Sequence, residues 1–250
     1  MELPISLRSF EAAMVRSCAP VLFRVKPANL FTFRGRFVSD CPACSKERCR
    51  TLDAPAEQAD PCASRRRALS QVVERFDNLL SGEGMRCRVI AWRPFGALVY
   101  AYRPSLVERH MGDPAITRDL AQLGYPVHAG RRRADGGDSA RSHSDPFGQI
   151  LDEERVSICI EHLARRFDEQ AVPHEVGYFL GYPAADVQGF IAHEGRAFLC
   201  CGCWKVYSDV RGAQYRFARY KRCTRRARAL YDAGASLLDL ARDPVGNRVA

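Results

Sequence analysis

Hydrophobic side chains recur at helical spacing along most of this chain. Leu7, Phe10, Met14 and Cys18 are three or four positions apart, which predicts a first helix that ends before Pro20. The same period predicts longer helices over 63–80, 147–167 and 209–240, with a break near Gly234 in the last, and shorter helices over 104–110, 114–123, 174–180 and 183–194.

Strand patterns are fewer. Residues 86–92 and 97–103 are rich in β-branched and aromatic side chains and flank Arg93-Pro94-Phe95-Gly96, so they predict a β-hairpin. Residues 203–207 alternate and predict a third strand, whereas 24–33 are expected to be extended or turn-like. The pattern therefore predicts a helix-rich α+β fold with a small, mostly antiparallel sheet of about three strands.

Two stretches have no hydrophobic period. Residues 34–62 are rich in charge, proline and cysteine, and residues 126–146 are polar and rich in glycine. Both are predicted to be loop insertions. Because nothing repeats internally and 250 residues suffice for one large core, we predict a single domain over 1–250.

The expected chemical role of the cysteines depends on the cellular compartment of the protein. No apolar run approaches the roughly 18–20 residues that span a bilayer, and the first residues lack the basic and apolar blocks of a secretory signal. We therefore expect a cytoplasmic protein with no membrane partner. In that reducing compartment the 11 cysteines are expected to be buried thiols, metal ligands or redox groups rather than disulfides.

The net charge of +9 is the usual mark of a nucleic-acid partner. However, only four of the 38 basic residues are lysines, and GC-rich coding yields such an excess of arginine without selection for an anion. The arginines of the last predicted helix could form an anion-binding face, but such a run is more often simply solvated. Nucleic acid is thus a disfavoured partner, and a protein partner stays open.

Several ordered motifs resemble one bacterial family. They are CAP (18–20), KPANL (26–30), PHEVGYFLGYP (173–183), DVQGFI (186–191), CCGCWKVY (200–207) and YKRCT (220–224). Together they resemble the uncharacterised family known as domain of unknown function 3793, over about 5–33 and 85–232. Residues 34–62 and 126–146 are expected to lie outside the shared pattern, and the resemblance implies no activity.

Two groups of cysteines are candidate metal ligands. Cys18, Cys200, Cys203 and Cys223 stand at positions that resemble the family pattern, and four thiols on separate elements could hold zinc or an iron–sulfur cluster. Cys200 and Cys203 alone could instead cycle as a dithiol. The weaker group lies in the irregular segment, where a short turn would bring its first two thiols together: Cys41, Cys44, Cys49 and Cys62.

Burial is the alternative for these cysteines, because a thiol packs well as a small hydrophobe. Cys18 and Cys223 both fall on the apolar faces of predicted helices, where core residues are expected.

His174 and Glu175 are weak catalytic candidates. An imidazole beside a carboxylate could act as a general acid–base pair, and with Cys18 as nucleophile the three would suggest a thiol-dependent enzyme. Yet glutamate is common in a first helical turn, and adjacent helical residues point about 100° apart. Structural roles are therefore favoured for this pair.

The stretch 174–191 has the spacing of a helix-turn-helix, with Gly177 small at the crossing and Gly181 in the turn. Its second helix would present side chains without arginine or lysine to meet phosphates, namely Ala184, Ala185, Asp186, Gln188 and Gly189. We therefore predict a hairpin that packs rather than one that reads DNA.

The favoured function is a cysteine-based metal or redox site in an accessory factor. The alternative is a DNA- or partner-binding module that uses the 174–191 hairpin and the basic last helix, and the third is a thiol-dependent enzyme that uses Cys18 and His174.

Overall fold

The computed structural model describes residues 5–38, 61–127 and 148–243. Its elements, in chain order, are α1 (Leu7–Leu22), β1 (Ala28–Arg34), α2 (Pro61–Ser81), β2 (Arg86–Arg93), β3 (Gly96–Tyr102), α3 (Pro104–Met111), α4 (Pro114–Gln122), α5 (Gly148–Glu169), α6 (Val176–Phe179), α7 (Ala184–Ala192), β4 (Cys200–Cys201), β5 (Lys205–Val206), α8 (Val210–Asp232) and α9 (Leu237–Arg242). The predicted helix-rich α+β class is confirmed. None of the helices in the described ranges is long and apolar enough to cross a membrane.

The chain divides into two compact units. Unit 1 comprises Met1–Arg103 and Arg211–Ala250, and unit 2 comprises Pro104–Val210. Unit 1 contains α1, α2, the strands β1 to β3, α9 and all of α8 except its first residue. Unit 2 contains α3 to α7 with the short strands β4 and β5.

The sheet of unit 1 is antiparallel, in the order β1-β3-β2. The central strand β3 is buried along its whole length, because α1 packs on β1 and α2 packs on β2. Phe10 of α1 anchors the core, with ring centroids 5.2–6.1 Å from those of Phe31, Phe33 and Phe76. The predicted hairpin is thus present, and an additional strand from the 24–33 stretch completes the sheet.

Helix α1 continues past Pro20, although the sequence predicted that it ends before that residue. Its last carbonyls find a partner in Arg103, which donates to Val21 O and Leu22 O at 2.7 Å each. Burial lowers the pKa of Arg103 to about 10, so the guanidinium remains charged at neutral pH. Satisfied terminal carbonyls allow the helix to keep its last turn beyond the proline.

Two other expectations are refined by the structure. Residues 203–207 were predicted as one strand, but within this stretch the strand is limited to Lys205–Val206 of β5, which a tight turn joins to β4. The last helix breaks where expected, since Gly234 has a φ of +99° between α8 and α9. A left-handed residue cannot continue a right-handed helix.

Gly96 begins β3 at a point where no side chain fits. A Cβ there would lie 2.5 Å from Thr32 Cγ2 and 2.7 Å from the Phe33 carbonyl oxygen. Gly96→Ala is therefore expected to displace β1 and to cost about 1–2 kcal/mol of unfolding free energy, measured by urea unfolding. Gly82→Ala is the matched control, because nothing lies within 4 Å of its Cβ position. Equal stability of the two variants would contradict the close β1–β3 approach.

Candidate functional site

Unit 2 contains an open pocket of about 330 Å³. Val176, Val187 and Phe190 form an apolar wall, while Tyr182 and Trp204 stack on each other with ring centroids 4.9 Å apart. The polar and reactive groups that line the same pocket include His174, Asp186, Lys205, Cys201 and Cys203. Most of these residues belong to the motifs that carry the family resemblance.

One wall of the pocket is the hairpin of α6 and α7. The helices approach closely at Gly177, where a Cβ would lie 2.7 Å from Val187 Cγ2. Gly181 has a φ of +78° in the connecting turn, a conformation that glycine adopts without strain. The sequence-based roles of both glycines are confirmed, and the hairpin packs as predicted.

The other wall is the turn between β4 and β5. Cys200 pairs with Val206 and Cys201 pairs with Lys205 in this small antiparallel sheet. Neighbouring strand residues point to opposite faces, and accordingly Cys201 lines the pocket while Cys200 does not. Cys203 reaches the same pocket from the turn that follows β4. Sequence reasoning selected Cys200 with Cys203 and missed Cys201. The alternation of a strand distinguishes Cys201 from Cys200, but the position of Cys203 depends on the turn.

Asp186 holds the two walls together. It was expected at the exposed surface of the second helix, which is wrong: the residue is only 2% exposed. Its carboxylate accepts hydrogen bonds from Trp204 Nε1 at 2.7 Å, from the backbone N–H of Tyr207 at 2.9 Å, and from the backbone N–H and hydroxyl of Ser208 at 3.0 and 2.7 Å. Four donors saturate this carboxylate, so it positions the Trp204 turn rather than transferring protons.

His174 and Glu175 have different environments. His174 is exposed at the pocket, with its ring edge-on to Phe190 at 5.1 Å. Glu175 is 3% exposed and accepts from Arg166 Nε at 2.9 Å and from the Tyr125 hydroxyl at 3.1 Å. Burial and the adjacent Glu175 carboxylate both raise the pKa of Tyr125. The geometry gives Glu175 a structural partner in Arg166, whereas His174 lies at the pocket beside Phe190.

Cys18 and Cys223 lie in the core of unit 1, whereas Cys200 and Cys203 belong to unit 2. Both core thiols have no exposed surface. Burial raises the pKa of Cys18 to about 12 and also raises that of Cys223, so both stay protonated at neutral pH. Such thiols are poor nucleophiles and poor metal ligands in this state.

Over 5–38, 61–127 and 148–243, no group of three or more His, Cys, Asp or Glu side chains is arranged to hold an ion. Of the weaker cysteine cluster, Cys62 is buried in α2, and the other three lie outside the described residues: Cys41, Cys44 and Cys49. Zinc or iron–sulfur binding by either cysteine group stays a prediction.

Comparison with known proteins identifies the family of this chain. One family model, described as "Protein of unknown function (DUF3793)", matches residues 14–133 and 147–241. The match runs unbroken through 34–62, which we expected to lie outside it, and its gap at 134–146 falls inside the predicted 126–146 insertion. No curated protein and no solved structure gives a significant match. Because the matched residues make up most of its length, the chain belongs to the DUF3793 family.

Proposed function

We propose that unit 2 is a thiol-dependent binding module. Its pocket takes up a small, largely apolar molecule, and the thiols of Cys201 and Cys203 contact that molecule. The single observation that carries the proposal is the presence of these two thiols on the wall of an otherwise mainly apolar, aromatic pocket.

The size of the pocket supports a ligand of about two aromatic rings. Its volume of about 330 Å³ is roughly twice that of an engineered apolar cavity of about 150 Å³ that takes up benzene. The stacked Tyr182 and Trp204 rings supply flat apolar surface. Lys205 adds one positive charge at the same wall, and the opposite charge of Asp186 is already engaged by four hydrogen-bond donors. This favours a ligand with a single acidic group.

The exposure of the two pocket thiols supports a chemical role for them. Cys201 and Cys203 are exposed, in contrast to the core thiols Cys18 and Cys223, and only an accessible thiol can react with a bound molecule. The fitting chemistry is thiol–disulfide exchange: one thiolate attacks a sulfur of a disulfide ligand, the S–S bond of the ligand breaks, and its other sulfur leaves as a thiolate. We place the protein in the cytoplasm, where such thiols are kept reduced.

Binding can be tested with 1-anilinonaphthalene-8-sulfonate, a probe that carries a fused two-ring naphthalene, an anilino ring and one sulfonate. We expect one molecule per chain with a Kd of about 20 μM, because its 21 heavy atoms give about 0.3 kcal/mol each. Val172→Trp should block binding, since Val172 lines the pocket and is 51% exposed, so the larger ring fills the mouth without entering the core. Leu123→Trp is the control, an equally conservative change outside the pocket at a side chain that is 38% exposed.

The thiols are tested by alkylation of the reduced protein with iodoacetamide, followed by peptide mass spectrometry. Bound probe should slow the labelling of Cys201 and Cys203 and leave Cys200 unchanged, because Cys200 is not part of the pocket wall. Equal protection of all three thiols, or probe binding that survives Val172→Trp, would refute the pocket proposal.

A metal centre is the second candidate function, and the spacing of the cysteines in the sequence favours it. Its signature would be about one zinc or one iron–sulfur cluster per chain in protein purified without oxygen, lost in Cys200→Ser/Cys203→Ser because a hydroxyl is a far poorer ligand than a thiolate. The thiol-dependent enzyme built on Cys18 and His174 has less support, since Cys18 has no surface that a substrate could reach.

A further inference from the structure

The positive charge of this protein is concentrated on one helix. Helix α8 carries seven arginines and one lysine against one aspartate, a net charge of +7. The whole chain has a net charge of +9, so the remainder is close to neutral. A coding bias toward arginine would spread the excess along the chain, and it does not explain this concentration.

The basic side chains occupy the outward face of α8. The opposite face is buried through Ala213, Phe217, Tyr220, Cys223 and Ala227, and Cys223 and Ala227 belong to the core of unit 1. Arg211, Lys221, Arg225 and Arg228 are exposed. Arg226 of the same helix forms an ion pair with Asp243 at 2.9 Å. The helix therefore presents a row of cations about 26 Å long between Arg211 and Arg228.

An aromatic ring and an unsatisfied donor interrupt this row. Tyr215 is 58% exposed and lies four residues from both Arg211 and Arg219, so the three side chains share one stripe of the helix. Among the described residues, the Nε of Arg219 is buried and has no hydrogen-bond partner. An exposed tyrosine between arginines offers a base-stacking surface next to phosphate-binding groups.

We infer that the outward face of α8 binds single-stranded nucleic acid. Phosphates pair with the arginines and a base stacks on Tyr215, a combination typical of proteins that bind single strands with little sequence preference. A membrane surface fits less well, because the apolar face of α8 is already buried and an interfacial helix must insert that face. The site differs from the 174–191 hairpin, whose second helix offers no basic residue.

The test uses the full-length protein and fluorescently labelled 20-nucleotide oligomers, rU20 and dT20, in anisotropy titrations. Binding should weaken with salt with a slope near −3 in log K against log salt, since about four phosphate contacts contribute about 0.7 each. Arg211→Gln/Arg225→Gln/Arg228→Gln should abolish most of this slope. The control removes the same charge from exposed arginines of α2 and α4: Arg67→Gln/Arg75→Gln/Arg118→Gln.

The Tyr215→Ala variant distinguishes binding of single strands from binding of other polyanions. It should weaken rU20 and dT20 about tenfold and leave a duplex of equal length unaffected. Equal binding of the two oligomers assigns the face to single strands in general, and preference for one identifies it as RNA- or DNA-directed. The inference is overturned if the control triple variant loses as much affinity as the α8 variant, if Tyr215→Ala has no effect, or if polyglutamate of matched charge binds as tightly as rU20.

Discussion

Asp186→Ala is expected to destabilise unit 2 by about 3–4 kcal/mol. The carboxylate accepts four hydrogen bonds, and a bond to a charged group contributes about 1.5–3 kcal/mol, with some loss recovered when partly exposed donors meet water. The buried indole N–H of Trp204 recovers least, since this residue is 7% exposed. Asp186→Asn should cost about half as much, because one oxygen still accepts while the amide N–H₂ opposes a donor.

Urea unfolding followed by Trp204 fluorescence measures this loss. A Trp92→Phe background removes the second of the two tryptophans, so the emission reports on unit 2 alone. Asp168→Ala is the matched control, an exposed aspartate on α5 of the same unit, and should change stability by less than about 0.5 kcal/mol. If the Asp186→Ala and Asp168→Ala variants unfold at the same urea concentration, Asp186 does not hold the Trp204 turn.

The same residue shows what a sequence pattern can predict. Helical periodicity located α2, α5 and the α6–α7 hairpin, because the buried residues of a helix recur three or four positions apart in the sequence. Asp186 could not be assigned in this way. A carboxylate among apolar helix residues is ordinarily solvent-facing, and its burial depends on donors at Trp204, Tyr207 and Ser208, which lie about twenty residues further on.

The pocket thiols illustrate a second limit. The CCGC motif indicated that cysteines matter here, but the choice of pair depended on strand register. Cys201 faces the pocket because it pairs with Lys205, whereas Cys200 pairs with Val206 on the opposite face. Strand β1 was missed for a related reason: its short, proline-preceded pattern in 24–33 becomes a strand only because β3 offers an edge for pairing.

Glu175→Ala is expected to cost about 2–3 kcal/mol. Removing one partner of a buried ion pair typically costs about 3–5 kcal/mol, because the other charge is left without compensation. The lower value applies here because the side chain of Arg166 is 29% exposed and regains some hydration. The Tyr125 hydroxyl also loses its acceptor. Glu175→Gln keeps an oxygen for Tyr125 but no charge for Arg166, and should cost about half as much.

Glu169→Ala is the control for this prediction, because Glu169 contacts the same arginine at 3.5 Å from a position that is 65% exposed. A solvent-exposed pair contributes only about 0–1 kcal/mol, so this variant should unfold almost like the unmodified protein in a urea titration followed by circular dichroism. A large loss in Glu175→Ala with none in Glu169→Ala assigns Glu175 to structure. Similar small losses in both variants would show that the ion pair of Glu175 does not stabilise the fold. A catalytic role for Glu175 and His174 would then regain support.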